Sequence, residues 1–254
     1  MILKALDVSK HQGDFDPQRA KQQGIDTVFL RAGYGTDRDK MFARFAEKCR
    51  AQDLRMGAYL FMTSHYRQYN GGDVRLAERL QNQQLDSLFE TLKGAGVTSW
   101  VALDQELEGG RTMGLTPRQN TDLLNRAAAR VKAAGYAPCL YCSASWLKNH
   151  VQAERLVMPV WAAYYYRSKA SCDPDFASAS PLQAVNTGWG RYLLGLGDQI
   201  CAWQFASRGQ GSRYGVKSDS VDRSWLYYQP EELAQREACR MGFEQQEGLE
   251  LVVT

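Results

Sequence analysis

The chain has 254 residues, 44% of them hydrophobic and 23% charged, with a net charge of +3; these are globular proportions, at a length that buries a substantial core. So mild a positive balance, with no basic stripe, argues against nucleic acid as a partner, and the absence of a run of about 18 apolar residues argues against membrane insertion. Six cysteines scattered through so long a chain read as reduced, packed thiols.

Met1 leads at once into a strand over residues 2–8, without the charged and apolar regions of a signal peptide, which predicts synthesis in the cytoplasm. Asp16-Pro17 is a helix start with proline at the first helical position, and Gly24 stops that helix. Thr27–Arg31 is a second strand, so the opening reads as a β-α-β unit. Residues 39–52 space Phe42, Phe45, Ala46 and Cys49 for a helix, and Met56–Phe61 returns as a strand. After Asp73, Leu76, Leu80, Leu88 and Leu92 recur at multiples of four before Gly94-Ala95-Gly96, a helix with a glycine stop. Trp100–Leu103 is an apolar strand running into Asp104 and Glu106. Thr116-Pro117 starts the next helix, which Gly135 ends. Strands follow at 137–141, 159–163 and 200–204, and helices are expected to vanish after about residue 163. Eight or so strands in β-α alternation over about 230 residues predict an α/β protein whose parallel sheet closes into an irregular TIM-like barrel. Residues 1–230 form that domain; residues 231–254, with a short polar helix over 231–240 and an apolar end over 249–254, read as a tail or linker stub.

The chemistry concentrates where strands end in acids. Asp7 closes the first strand, and Asp104 and Glu106, two apart, project from one strand face. In barrel folds that end is where active sites are built. Glu108 extends the acidic run as a loop edge. No metal is implied, because His11, His65 and His150 have no ligand spacing to one another or to the cysteines. Cys139-Leu140-Tyr141-Cys142 lies in a strand and reads as packing, and Gly209–Gly215 lacks the setting of a phosphate loop. No cofactor is expected. Grouped carboxylates with nearby aromatics fit glycosidic bond cleavage, in which one carboxyl stays protonated beside another. Tyr34, Tyr59, Phe61, Tyr141, Trp161, Tyr164 and Trp203 fall at or near strand ends and are candidate sugar contacts.

Asp7-Val8-Ser9-Lys10-His11-Gln12-Gly13, Phe29–Gly35, Gly57–Phe61, Leu103–Glu106, Pro138–Tyr141, Val160–Tyr164, Trp203-Gln204 and Val221-Asp222, in this order, resemble the glycoside hydrolase family 25 lysozymes, the Chalaropsis-type muramidases. The resemblance implies a flattened, irregular β/α barrel that hydrolyses the β-1,4 bond between N-acetylmuramic acid and N-acetylglucosamine in bacterial peptidoglycan. It implies Glu106 as proton donor. Asp104 would stabilise positive charge or orient the substrate's N-acetyl group, whose carbonyl oxygen serves as internal nucleophile, and Asp7 and Asp222 would be the other acids of the cleft. The chain departs from the family at Tyr59-Leu60-Phe61, where a polar residue is usual between the aromatics, and at Asp222-Arg223-Ser224, where asparagine often follows the acid. Family members lacking a signal peptide are often bacteriophage endolysins, made in the host cytoplasm and reaching the wall after holin-dependent release. They commonly add a wall-binding domain, so either the barrel itself binds the wall, or the tail serves self-association, or a wall-binding domain is missing from this sequence. Two rivals stand beside this reading: a chitinase-like or endo-N-acetylglucosaminidase barrel, which shares Asp-x-Glu, and a non-catalytic wall-binding module.

Overall fold

The computed structural model describes residues 2–107, 111–166, 173–182 and 185–233. Glu108, Cys172, Cys239, and the tail helix and apolar end expected beyond residue 233 lie outside the described residues. Among the described residues nine strands form one sheet: β1 (Leu3–Val8), β2 (Thr27–Tyr34), β3 (Asp37–Arg38), β4 (Arg55–Phe61), β5 (Trp100–Gln105), β6 (Ala137–Ser143), β7 (Val160–Ala163), β8 (Ile200–Ala206) and β9 (Asp222–Leu226). Their order is β1-β9-β8-β7-β6-β5-β4-β2-β3, and a further pairing of β1 with β2 closes eight strands into a barrel that leaves β3 outside as a hairpin arm. Neighbours are parallel except where β9 is inserted antiparallel between β8 and β1, and where β3 turns back on β2.

The helices are α1 (Pro17–Gln22), α2 (Phe42–Ala51), α3 (Arg67–Asn70), α4 (Val74–Leu92), α5 (Pro117–Ala133), α6 (Ala144–His150) and α7 (Gly188–Gly195). Side-chain caps fix most of their starts. Asp16 accepts from the N–H groups of Gln18 and Arg19, Asp73 from those of Arg75 and Leu76, and Thr116 forms a capping box with Gln119. α7 departs from the sequence expectation, because it lies beyond residue 163, where no helix was expected; α6, which directly follows β6, falls within the expected alternation.

Two apolar layers result from strands buried on both faces. Phe29, Trp100, Cys139, Trp161, Cys201 and Tyr228 fill the barrel interior, while Leu30, Phe45, Leu85, Leu103, Leu124 and Trp203 pack between barrel and helices. Gly57 is required at the interior, since a Cβ there would fall 2.4 Å from the Phe29 ring and 2.7 Å from the Trp100 carbonyl oxygen. The described cysteines Cys49, Cys139, Cys142 and Cys201 are free and buried. Among the described residues no helix is long and apolar enough to cross a membrane, and no group of three or more His, Cys, Asp or Glu could hold a metal ion.

Candidate active site

Three strands bring acids to one barrel end. Asp7 and Asp104 are each the penultimate residue of a parallel strand, and Glu106 follows β5 directly. Because β9 runs the other way, its first residue, Asp222, falls at that same end and pairs in register with Asp7. All four line a cleft of about 560 Å³, together with Arg31, Tyr34, Tyr59, Phe61, Arg111 and Trp161. Its rim beside β1 carries Lys10 and His11, both exposed.

The acids form two hydrogen-bonded pairs. Asp7 is hydrogen-bonded to Asp222, and Asp104 to Glu106. Burial pushes Asp7 up from the ordinary 3.8 to about 6, against the opposing hydrogen bonds from Asp222 and Gln204. Burial, followed by the charge of Asp7, holds Asp222 well above the usual carboxylate range. Asp104 is raised by burial first and then by the charges of Glu106 and Asp7, with Arg31 opposing. Asp104 is only 2% exposed whereas Glu106 is half-buried, so Asp104 is the inner member of that pair and Glu106 the one nearer solvent.

The supports around these pairs are polar and specific. The Gln204 amide Nε2 donates to Asp7 Oδ2 at 2.9 Å, and its Oε1 accepts from the hydroxyls of Tyr141, at 2.8 Å, and Tyr165. Arg31 pairs with Asp39 at 2.8 Å, and the Lys10 backbone N–H also donates to that carboxylate. The Tyr66 hydroxyl donates to the Glu106 carbonyl oxygen, fixing the backbone where β5 ends. Tyr66 is held in turn through its neighbour His65, buried between the side-chain oxygens of Asn120 on α5 and Gln81 on α4 at 3.1 and 3.0 Å. Beyond Glu106 opens a second cavity of about 310 Å³, lined by Tyr141, Ser143, Tyr164, Tyr165 and Trp189. Glu106 and Tyr141 border both spaces.

The sequence profile of Glycosyl hydrolases family 25 matches residues 6–213. The chain belongs to that family. It is 23% identical over 175 residues to an autolytic lysozyme of Clostridium acetobutylicum, a match covering 68% of this chain and 48% of the relative, so the chain spans about half the length of that curated relative. Among solved structures it resembles the CTP1L endolysin, with a TM-score of 0.61, 22% identity and coverage of 88% of this chain and 66% of that one. It also resembles the catalytic domain of endolysin ply40 from bacteriophage P40 of Listeria monocytogenes, with a TM-score of 0.60, 18% identity and coverage of 89% and 93%. These likenesses are of fold.

Within this family 25 barrel the expected aromatics divide into three groups. Tyr59, Tyr141 and Trp161 line the cleft with the acids, and Tyr141 packs edge-on to Trp161 at 4.7 Å. Tyr34 and Phe61 also line it, stacked on each other at 4.7 Å, but the Arg111 guanidinium lies over both rings. Tyr164 sits in the second cavity, its hydroxyl donating to Thr187 Oγ at 3.1 Å. Trp203 does not reach either space. It pairs in register with Ala162, whereas Ala163, the next residue, pairs with Gln204, so alternation turns Trp203 outward into the helix layer, fully buried with its indole N–H on the Tyr164 carbonyl. The sequence reading quoted Arg31 and Gln204 within its motifs without giving them a role, and passed over Arg111, Tyr165 and Trp189. Gln204 was within reach, because it stands one residue from Trp203 on the opposite strand face.

Proposed function

We propose that the chain is a lysozyme that cleaves the β-1,4 bond between N-acetylmuramic acid and N-acetylglucosamine in bacterial peptidoglycan. The observation that carries this reading is the position of Glu106, paired with the buried Asp104 and standing where the acid-lined cleft meets the second, aromatic-lined cavity. A glycan lying across both spaces presents its scissile oxygen to Glu106. Two coupled carboxyls retain one proton between them far more readily than none, because the second ionisation would place two charges side by side in a buried site. The proton passes through Glu106 to the leaving oxygen. Asp104, freed of it, faces the positive charge that develops at the reacting carbon and orients the substrate's acetamido group for internal attack. Asp7 and Asp222 share a second proton and, held by Gln204, present a fixed hydrogen-bonding edge to the same sugar.

Mass spectrometry of borohydride-reduced fragments released from purified peptidoglycan tests the assignment. Reduced muramic acid ends from the wild type, and none from Glu106→Gln, are the expected result. Reduced glucosamine ends would transfer the protein to the glucosaminidase class, and an active Glu106→Gln would remove Glu106 from its role. The reading extends to a bacteriophage endolysin that acts on the wall after release from the host cytoplasm. Expression in a susceptible host should then cause lysis only when a holin is co-expressed, and lysis without one would overturn that part.

A further inference from the structure

The second cavity, beyond Glu106, differs in kind from the acid-lined cleft. Its volume of about 310 Å³ is near the lower end for small-molecule sites, which suits one sugar rather than two. The hydroxyls around it are engaged within the protein. Tyr164 donates to Thr187, Tyr165 and Tyr141 donate to Gln204, Ser143 accepts from the Trp146 backbone N–H, and Ser145 accepts from the Asn149 amide. Apart from Glu106, the cavity therefore offers a ligand chiefly ring and methyl surface. Leu107, directly after Glu106, and Tyr165 in the wall are both exposed, so apolar surface extends to its mouth. The largest ring in the wall is Trp189, the second residue of α7. Tyr192 meets it edge-on with ring centroids 6.0 Å apart, and the Lys148 ammonium of α6 lies 5.6 Å from its centroid, so the indole is held from two helices. Thr187, which caps α7 two residues earlier, receives the Tyr164 hydroxyl and ties that helix to the cavity wall.

We propose that Trp189 is a specificity residue that takes against its ring the leaving N-acetylglucosamine, the sugar on the departing-oxygen side of the scissile bond. This rests on the peptidoglycan reading above, in which the acids surround the sugar whose anomeric carbon reacts. Glu106 reaches the oxygen that leaves, and the sugar carrying that oxygen then lies beyond Glu106, in the second cavity. N-acetylglucosamine in a β-linked chain has every ring substituent equatorial. Its faces carry only axial C–H groups, an apolar surface that fits an indole, while its hydroxyls point to the rim. Muramic acid bears a lactyl ether and a peptide on the same ring, bulk that a one-sugar cavity walled by Tyr141, Tyr164 and Trp189 excludes. The cavity thereby sets which of the two alternating glycosidic bonds reaches Glu106. Trp189 touches the sugar ring and no reacting atom.

Two substrates separate this role from a structural one. Peptidoglycan fills both spaces. The β-fluoride of the disaccharide N-acetylglucosaminyl-N-acetylmuramic acid loses fluoride instead of a sugar, so it reacts in the acid-lined cleft and leaves the second cavity vacant. Trp189→Ala should lose about 10- to 100-fold in kcat/KM on peptidoglycan, the size of a well-packed tryptophan contact, with little or no loss on the fluoride. Trp189→Phe keeps a smaller ring and should recover part of that loss; it carries the same comparison if the alanine variant does not fold. No loss on peptidoglycan, or an equal loss on both substrates in a folded variant, would overturn the proposal. Wild type given the fluoride should also transfer the disaccharide to the 4-hydroxyl of methyl β-N-acetylglucosaminide, breaking the C–F bond, forming a C–O bond and releasing fluoride and a proton. It should not transfer to the corresponding muramic acid glycoside. Equal transfer to both acceptors refutes the selectivity and needs no variant to fold. Failure of the muramidase reading looks different: the wild type itself then releases no muramic acid ends from peptidoglycan and no fluoride from the disaccharide.

Discussion

Asp7→Asn should make the protein more stable and less active, and the gain should itself depend on pH. The Asp7 side chain is 6% exposed, and its burial lifts the carboxyl from 3.8 to about 6. A folded-state value above the unfolded one means that folding favours the protonated form. Stability from this group is thus complete below about pH 3.8, falls as pH rises and is fully lost above about 6. Each tenfold in proton affinity is worth about 1.4 kcal/mol, so the buried charge costs up to about 3 kcal/mol at pH 7. Asparagine keeps the shape, carries no charge and removes the like-charge pressure on Asp222. Its melting temperature at pH 7 should exceed wild type by several degrees, with roughly 6–12 °C as the ceiling for a chain of this size. Thermal unfolding of both proteins from pH 3.5 to pH 8 measures this, beside turnover on peptidoglycan. The difference should open between pH 4 and 6 and then stay level, while turnover falls strongly. A variant that melts below wild type at pH 7, or a gap as wide at pH 3.5 as at 7, would refute burial as the origin of the perturbation.

Gln204→Leu removes the amide that donates to Asp7 and accepts from Tyr141 and Tyr165. Losing a hydrogen bond to the charged form raises Asp7 further, so the acidic limb of the kcat/KM profile should move to higher pH; an unmoved limb would detach Asp7 from that limb. Arg223 is fully buried and donates to the carbonyls of Gly209, Val221 and Arg208 at 2.8–2.9 Å. Arg223→Met should cost roughly 2–4 kcal/mol, read by denaturant unfolding, because several carbonyls lose their donor at once. Gly57→Ala drives a methyl against the Phe29 ring and the Trp100 carbonyl, and should destabilise by at least about 1–3 kcal/mol through overpacking of the interior; normal thermal stability would mean that β4 shifts freely.

The alternating core of this barrel was legible because β1, β2, β4 to β8 and four of the helices carry strong local signals: apolar runs, Asp-Pro and Thr-Pro starts, glycine stops. What stayed hidden depends on tertiary contacts. α7 has glycine at positions 188 and 190, poor helix formers, yet Thr187 caps it, and Gly190 is needed because a Cβ there would sit 2.4 Å from the Val185 carbonyl oxygen. β9 opens Asp-Arg-Ser, which looks like a surface turn until backbone carbonyls are seen to enclose the arginine. Asp7, Asp104 and Glu106 were found because a strand end is a local feature and two-residue spacing fixes a face; Asp222 came only from the family resemblance. Trp203 was misplaced because a register shift within β8 and its pairing to β7 decide which face is inward, and no local pattern reveals that. Arg111 was passed over because its ring partners Tyr34, Phe61 and Tyr66 come from distant parts of the chain.

The inverted strand explains how the site is assembled. A fully parallel barrel can place acids at this end only from strand C-termini and the loops beyond them. Reversing β9 adds a strand N-terminus there and sets Asp222 directly across the ladder from Asp7. Two carboxyls forced into register inside a barrel cannot both ionise, so one keeps its proton and the pair becomes a rigid donor–acceptor edge rather than a repulsive contact. The same reasoning applies to Asp104 and Glu106, where strand alternation does what register does for the other pair. Gln204 links the first pair to Tyr141, which lies beside Asp104 in register on the adjoining strand. The charge of Asp7 also raises Asp104 and that of Glu106 raises Asp222, so moving a proton in one pair alters the field felt by the other.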